Sequence, residues 1–234
     1  MAYFESTIDF DSAIAEIDYL IAVAKEEDEG SHRFSVNLKA ALVLLASKLE
    51  AYVENIVEEY IDKIAVLNPK SKHLPKRLRD HSTVFLLDLL NRNCGFSDKQ
   101  KNIELLTAAS ALWHDNTQLQ KIRFDGKFSY GKHGSGELEA LFKRVGIEDI
   151  YIKCQVLDDE SESMVDAAGK ISVAGDIDSL TNIRNNIIHS DANPNFTLRD
   201  IEAYRNKIWE FCYQIDRLLD QELASIENKM LQEP

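Results

Sequence analysis

The side chains best suited to chemistry fall in one stretch, Leu180-Thr-Asn-Ile-Arg184-Asn-Asn-Ile-Ile-His189-Ser-Asp-Ala-Asn-Pro194. Four residues separate Arg184 from His189, and Asn185 follows the arginine directly. Arginine keeps its charge at physiological pH and forks onto two phosphate oxygens. Histidine ordinarily titrates near neutrality and moves protons. Asparagine offers both a donor and an acceptor to orient its neighbours. The set suits proton transfer at a phosphate. The same residues also fit a plainer role: Arg184 on a surface, and His189 in the last turn of a helix, where a cation meets the negative end of the dipole.

Spacing constrains how the two could cooperate. On an ideal helix five residues place Arg184 and His189 about 140° apart, with a rise of ~7.5 Å. They do not stack as an i,i+4 pair does. Whatever positions them must close the gap from outside that helix.

The surrounding sequence reads as helices. There are nine glycines and four prolines in 234 residues, and the prolines lie between helical-looking stretches or at the end. Apolar spacing predicts helices over 11–27, 35–67, 82–91, 98–120, 137–145, 178–189 and 197–229. In the second, Leu38, Leu42, Leu45, Leu49, Val53, Ile56, Val57, Tyr60 and Ile64 form one stripe, with Glu50, Glu54, Glu58 and Glu59 beside it as a wet face. Thr197-Leu-Arg-Asp200 is a capping signature. Alternation around Asp125-Gly126 predicts a small hairpin over 121–130. Residues 150–156 fit a strand or a helix start, and 158–163 an acidic exposed loop. Neither a repeat nor a linker divides the chain, so one all-α domain with long antiparallel helices is expected, of a length that buries a sizeable core.

Composition narrows the setting. Net charge is −13, yet its distribution is uneven. Residues 1–62 carry 4 Lys/Arg and 14 Asp/Glu, residues 63–144 carry 15 and 8, and residues 145–234 carry 8 and 18. The basic middle opens with Lys63, Lys70, Lys72, Lys76, Arg77 and Arg79, read as a loop over 68–81. It could contact phosphates or be a solvated loop. Cys94, Cys154 and Cys212 are odd in number and widely spaced, which suits a reducing cytoplasm. No run approaches the ~18–20 apolar residues of a membrane span, and no signal-peptide core opens the chain.

Other spacings point nowhere. Gly126-Lys-Phe-Ser-Tyr-Gly131-Lys132-His133 misses a phosphate-binding loop at its last position, where His133 replaces Ser or Thr, although Lys127, Lys132 and His133 could touch RNA. Glu29-Gly-Ser-His32 is a single copy of a spacing that di-iron bundles need twice. His73, His81 and His114 lack metal-ligand spacing, so no metal and no cofactor is expected. Trp113 and Trp209 sit in helical apolar patterns and read as core.

The Arg184-Asn185…His189 motif, near the end of a helix and followed by Asn193-Pro194, resembles the hallmark of HEPN nucleases. Its surroundings resemble the RiboL-PSP type. Leu45-Ala-Ser-Lys-Leu-Glu-Ala-Tyr-Val53 is similar to the early helix, with Leu49-Glu50 where those domains often carry Phe-Glu. Glu137-Leu-Glu-Ala-Leu-Phe-Lys-Arg-Val-Gly-Ile147 is similar to the short helix before the motif, and the stretch with Trp209, Phe211, Ile215 and Leu218 to the closing helix. The likeness spans 34–223; Leu49 and the acidic segment 158–166 depart from it.

The resemblance implies a HEPN-type helical bundle and a metal-independent ribonuclease acting as a toxin or defence effector. His189 would be general base or acid, Arg184 would stabilise the phosphorane, and Asn185 would position, with Glu50 and Asn186 in support. It implies a two-fold homodimer in which both motifs line one cleft. Ile183, Ile187 and Ile188 would pack in the bundle or the interface, and Tyr52 could approach the cleft beside Glu50. RNA contacts are expected at Lys72, Lys76, Arg77, Arg79 and Lys132, and an antitoxin or defence-system protein as a further partner. The alternative is a non-catalytic HEPN module that binds protein or RNA.

Overall fold

Long Leu/Ile/Ala/Glu runs with few breakers become long helices. The computed structural model describes residues 4–92, 99–128, 134–157, 170–190 and 196–232. Among them are eight α-helices: α1 (Glu5–Lys25), α2 (His32–Val66), α3 (Lys76–Arg92), α4 (Lys99–Ala111), α5 (Ser135–Arg144), α6 (Ile150–Lys153), α7 (Ala174–Ser190) and α8 (Leu198–Gln232). The fold is all-α, as expected. Two-residue strands, β1 (Val156–Leu157) and β2 (Lys170–Ile171), pair antiparallel with Val156 opposite Ile171. No helix among the described residues is long and apolar enough to cross a membrane.

The chain folds as two compact units. The first comprises Met1–Ile56, Phe128–Glu139 and Asp149–Leu218, and the second Val57–Lys127, Ala140–Glu148 and Leu219–Pro234. In the first, Phe4, Ile17, Leu42, Leu45, Ile177, Leu180 and Phe211 are buried. Asp216 of α8 is buried there and accepts hydrogen bonds from Phe4 N–H (3.0 Å) and Thr7 Oγ1 (2.7 Å). A carboxylate thus satisfies the Phe4 N–H, which no carbonyl of the helix can reach, together with the Thr7 hydroxyl. Thr197 and Asp200 form the anticipated cap of α8: Thr197 N–H donates to Asp200 Oδ2 at 2.8 Å, and Asp200 N–H to Thr197 Oγ1 at 3.2 Å.

In the second unit Tyr60, Ile64, Leu78, Leu86, Leu105 and Phe142 are buried. Gly146 ends α5 with φ +92°, and a Cβ there would lie 2.5 Å from Pro75 Cβ, so only glycine fits. Gly146 N–H reaches Lys143 O (3.1 Å) and Ile147 N–H reaches Phe142 O (3.0 Å), the paired bonds of a Schellman cap.

Several expectations change. The basic stretch 68–81 is not all loop: a 3-10 turn spans Ser71–His73, and α3 begins at Lys76. Pro75 starts that helix by accepting from Arg79 N–H at 3.2 Å; its fixed φ suits a helix start as well as a break. Helix α4 stops at Ala111, short of the expected 120. Over 121–128 the hairpin does not form; Phe128 N–H donates instead to Glu54 Oε1 (2.8 Å), and in the second unit Lys127 Nζ lies 3.4 Å from Glu58 Oε1. Glu54 and Glu58 therefore hold a neighbouring segment rather than form a merely wet face, and Glu59 pairs with Lys63 at 3.4 Å. Residues 150–156 supply both a helical turn and the start of β1. Trp113 and Trp209 are exposed, at 46% and 38%, rather than core. Each indole N–H finds a polar partner at 2.8 Å, Thr83 Oγ1 and Asp11 Oδ1 respectively, which draws the ring edge outward. The acidic segment 158–166 and the Asn193-Pro194 break lie outside the described residues.

Candidate active site

Helix α7 packs through Ile177 and Leu180, which are buried. The next positions on that seam are Arg184 and Ile187, both half-buried. An arginine thus occupies a place where helical periodicity calls for an apolar side chain, and it needs a partner. Glu50 of α2 supplies one: Arg184 Nη2 lies 3.4 Å from Glu50 Oε2, with the two side chains 19% and 20% exposed. Arg184 Nη1 also donates to Asn185 Oδ1 at 3.3 Å. Its Nε is buried and has no hydrogen-bond partner among the described residues. Two contacts therefore restrict the guanidinium. Removing one partner of a buried pair costs up to about 3–5 kcal/mol, and this half-buried pair belongs well below that ceiling.

His189 and Asn186 are exposed, and Asn185 is half-buried. Asn185 and His189 are four residues apart, so they lie one above the other on a single face, ~6 Å along the axis. Arg184 lies off that face, but its bond to Asn185 joins it to the face that carries the histidine. The structure brings together Glu50, Arg184 and Asn185 by direct contact, with His189 one turn beyond in the last turn of α7. Ile188 is 53% exposed at the same end. Tyr52 does not join this group. It is buried, its hydroxyl donates to Cys212 O at 2.6 Å, and its ring lies 5.0 Å from Phe10. Burial, reinforced by Cys212, raises its phenol well above the ordinary value. Two residues along α2 from Glu50, it points some 200° away.

Two supports were missed in the sequence. Asp178 of α7 accepts from Ser135 N–H and Ser135 Oγ, both at 2.8 Å, and Tyr151 OH donates to Ser135 O at 2.8 Å. These bonds tie the start of α5 to α7. Gly134 has φ +128°, and a Cβ there would meet Asp178 Oδ1 at 3.0 Å. Phe128 and Gly134, on either side of 129–133, line a small cleft with Glu50, Leu138 and Thr181. The only sequence signal for this arrangement was the glycine at 134. Lys132, expected to contact RNA, lies outside the described residues, as does His133.

The remaining basic candidates belong to the second unit. Arg79 is engaged structurally: it stacks over Trp113 at 5.3 Å and lies 3.8 Å from Asp115, with 17% of its side chain exposed. Lys76 and Arg77 are exposed, and Lys72 is half-buried. Charge divides unequally. The first unit carries 12 Lys/Arg and 26 Asp/Glu, net −14, and the second 15 and 14, net +1. Among the described residues, no group of three or more His, Cys, Asp or Glu side chains could hold a metal ion.

No curated protein and no solved structure matches the chain. The RiboL-PSP-HEPN family matches it over residues 8–221, which includes α2, α7 and most of α8. With the α2 acid and the α7 arginine already paired in an all-helical fold, a match over nearly the whole length makes this chain a member of the RiboL-PSP-HEPN family.

Proposed function

We propose that the chain is a metal-independent RNA endonuclease whose site is built from Arg184, Asn185 and His189. The observation that carries this reading is the restrained guanidinium. Arg184 is held by Glu50 at 3.4 Å and Asn185 at 3.3 Å, while the exposed His189 stands one turn further along the Asn185 face. A fixed cation on the same helix as an exposed imidazole matches the needs of phosphodiester transesterification.

The steps follow from those groups. The neutral imidazole of His189 takes the proton from the ribose 2′-OH. The 2′ oxygen attacks the adjacent phosphorus while Arg184 neutralises the charge that builds on the phosphorane oxygens. The bond to the 5′ oxygen breaks, and an acid returns a proton to it. The products are a 2′,3′-cyclic phosphate and a 5′-hydroxyl. Base and acid are separate tasks, and two histidines related by a two-fold axis supply both. A homodimer about α7 is therefore part of the proposal, with exposed Ile188 at its interface. Asn185 orients the arginine, and Glu50 sets its position.

End-group analysis tests this directly. Fragments from RNA incubated with the purified protein in EDTA are expected to carry cyclic phosphate and 5′-hydroxyl ends. Ends of 5′-phosphate would contradict attack by the 2′-OH.

A second reading, a non-catalytic binding module, draws on one observation: the unit that holds Arg184 is net −14, which opposes approach of a polyanion. It predicts that function survives His189→Ala.

A further inference from the structure

A cleft in the second unit runs between α3 and the last turn of α5. Arg77, Asp80 and His81 line it from α3, and Lys143 and Arg144 from α5. Arg77 and His81 are four residues apart and share a face. Lys143 and Arg144 close α5, where cations suit the negative helix end. The Arg144 guanidinium is held in place, donating to Lys127 O at 3.0 Å and Asp125 O at 3.5 Å. Arg77 Nε lies 3.3 Å from Glu148 Oε1, but 68% of the Arg77 side chain is exposed. Such a surface pair is worth little, so an incoming anion displaces it readily.

His81 adds a different kind of group. Its Nε2 is buried and has no hydrogen-bond partner among the described residues, while its ring packs edge-on to Phe124 at 5.1 Å. Burial first, and then Arg144, hold the imidazole below its ordinary pKa, against the opposing pull of Asp125. It therefore adds no positive charge to the cleft. The first turn of α3, where Arg77 sits, contains no acidic residue, so the positive end of that helix is not neutralised there.

Three cations, Arg77, Lys143 and Arg144, line the cleft with Asp80, while Glu148 pairs with Arg77 and Asp125 acts on His81. The first unit is net −14 and repels polyanions, whereas the second is close to neutral overall, and three of its 15 Lys/Arg line this cleft.

We propose that the α3–α5 cleft binds the phosphate backbone of a single RNA strand. The choice of RNA among polyanions rests on the ribonuclease reading; the anion site itself rests on the cleft.

The test uses the full chain carrying His189→Ala, so that RNA survives, with a fluorescein-labelled single-stranded RNA in EDTA. Anisotropy is measured across a range of KCl concentrations. Adding Arg77→Ala and Lys143→Ala is expected to weaken binding about tenfold near physiological salt. Each lost contact to a single strand should make the slope of log K against log[KCl] shallower by about 0.7, or about 1.4 for the pair. Arg77→Lys with Lys143→Arg keeps both charges and should bind as the parent does. Unchanged affinity and slope in the double alanine chain would overturn the proposal. So would displacement of the RNA by inorganic phosphate or a mononucleotide at matched ionic strength, which would make this a free-phosphate site. Cleavage of a dinucleotide by the chain with His189 intact separates the two readings. Cleft-dependent RNA binding without cleavage would leave the cleft standing and remove the nuclease, while cleavage with unchanged binding in the alanine chain would do the reverse.

Discussion

Glu50 on α2 and Arg184 on α7 lie 134 positions apart in sequence and 3.4 Å apart in space, each about one-fifth exposed. The pair ties the α7 motif to a different helix. Glu50→Gln keeps the shape and removes the charge that holds the guanidinium. Cleavage is expected to fall about 10–100-fold, mainly in kcat, because what is lost is placement of a group that acts in the transition state. Glu50→Asp should recover part of the loss. A change in KM alone, or none at all, would remove Glu50 from the positioning role.

Ile188 is an apolar side chain, 53% exposed, one residue before His189. If α7 forms the two-fold contact, Ile188→Glu sets like charges against each other across the axis. The expected result is a monomer by sedimentation and loss of RNA cleavage, with the helical signal unchanged. A cleaving monomer would separate the site from dimerisation.

Much of this arrangement could be read from the chain beforehand. The apolar spacing on α2, the Thr197-x-x-Asp200 cap and the Arg184…His189 motif are local patterns, and the structure keeps the helices and the cap they predict. What could not be read was tertiary. Periodicity marks Glu54 and Glu58 as solvent-facing, but it does not foresee a segment 70 residues away settling on them. The hairpin at 121–128 failed for the same reason: its backbone donor at Phe128 found a side-chain acceptor instead of a strand. Pro75 was read as punctuation when it opened a helix. The Asp178–Ser135 tie carries no local signature, because side-chain bonds between distant elements leave no period in the sequence.

Asp200 offers a test of that cap. Its carboxyl is held below the ordinary range, first by the Thr197 N–H and then by the Thr197 hydroxyl. A depressed pKa means that the stabilisation is present above the unfolded value, about 4, and is lost as pH falls through the folded value. After discounting for exposure, Asp200→Asn is expected to cost roughly 0.5–1 kcal/mol at pH 7. The difference from the parent should shrink below pH ~4 in urea titrations. A constant difference down to pH 2 would show that charge plays no part.

Cys154 is buried, and burial pushes its thiol up to about 12. The thiolate that reacts with alkylating agents is therefore scarce at neutral pH. Iodoacetamide at pH 8 should leave Cys154 unmodified in the folded chain and modify it fully in guanidinium. Rapid labelling of Cys154 in the native protein would contradict its burial.

Cleavage of transfer RNA and total RNA by the purified chain in excess EDTA, with His189→Ala prepared in parallel, tests the proposed site. The expected result is metal-free cleavage by the parent, reduced at least 100-fold in the variant. Equal cleavage by both proteins, or none by either over a broad set of RNAs, would contradict an active site at Arg184, Asn185 and His189.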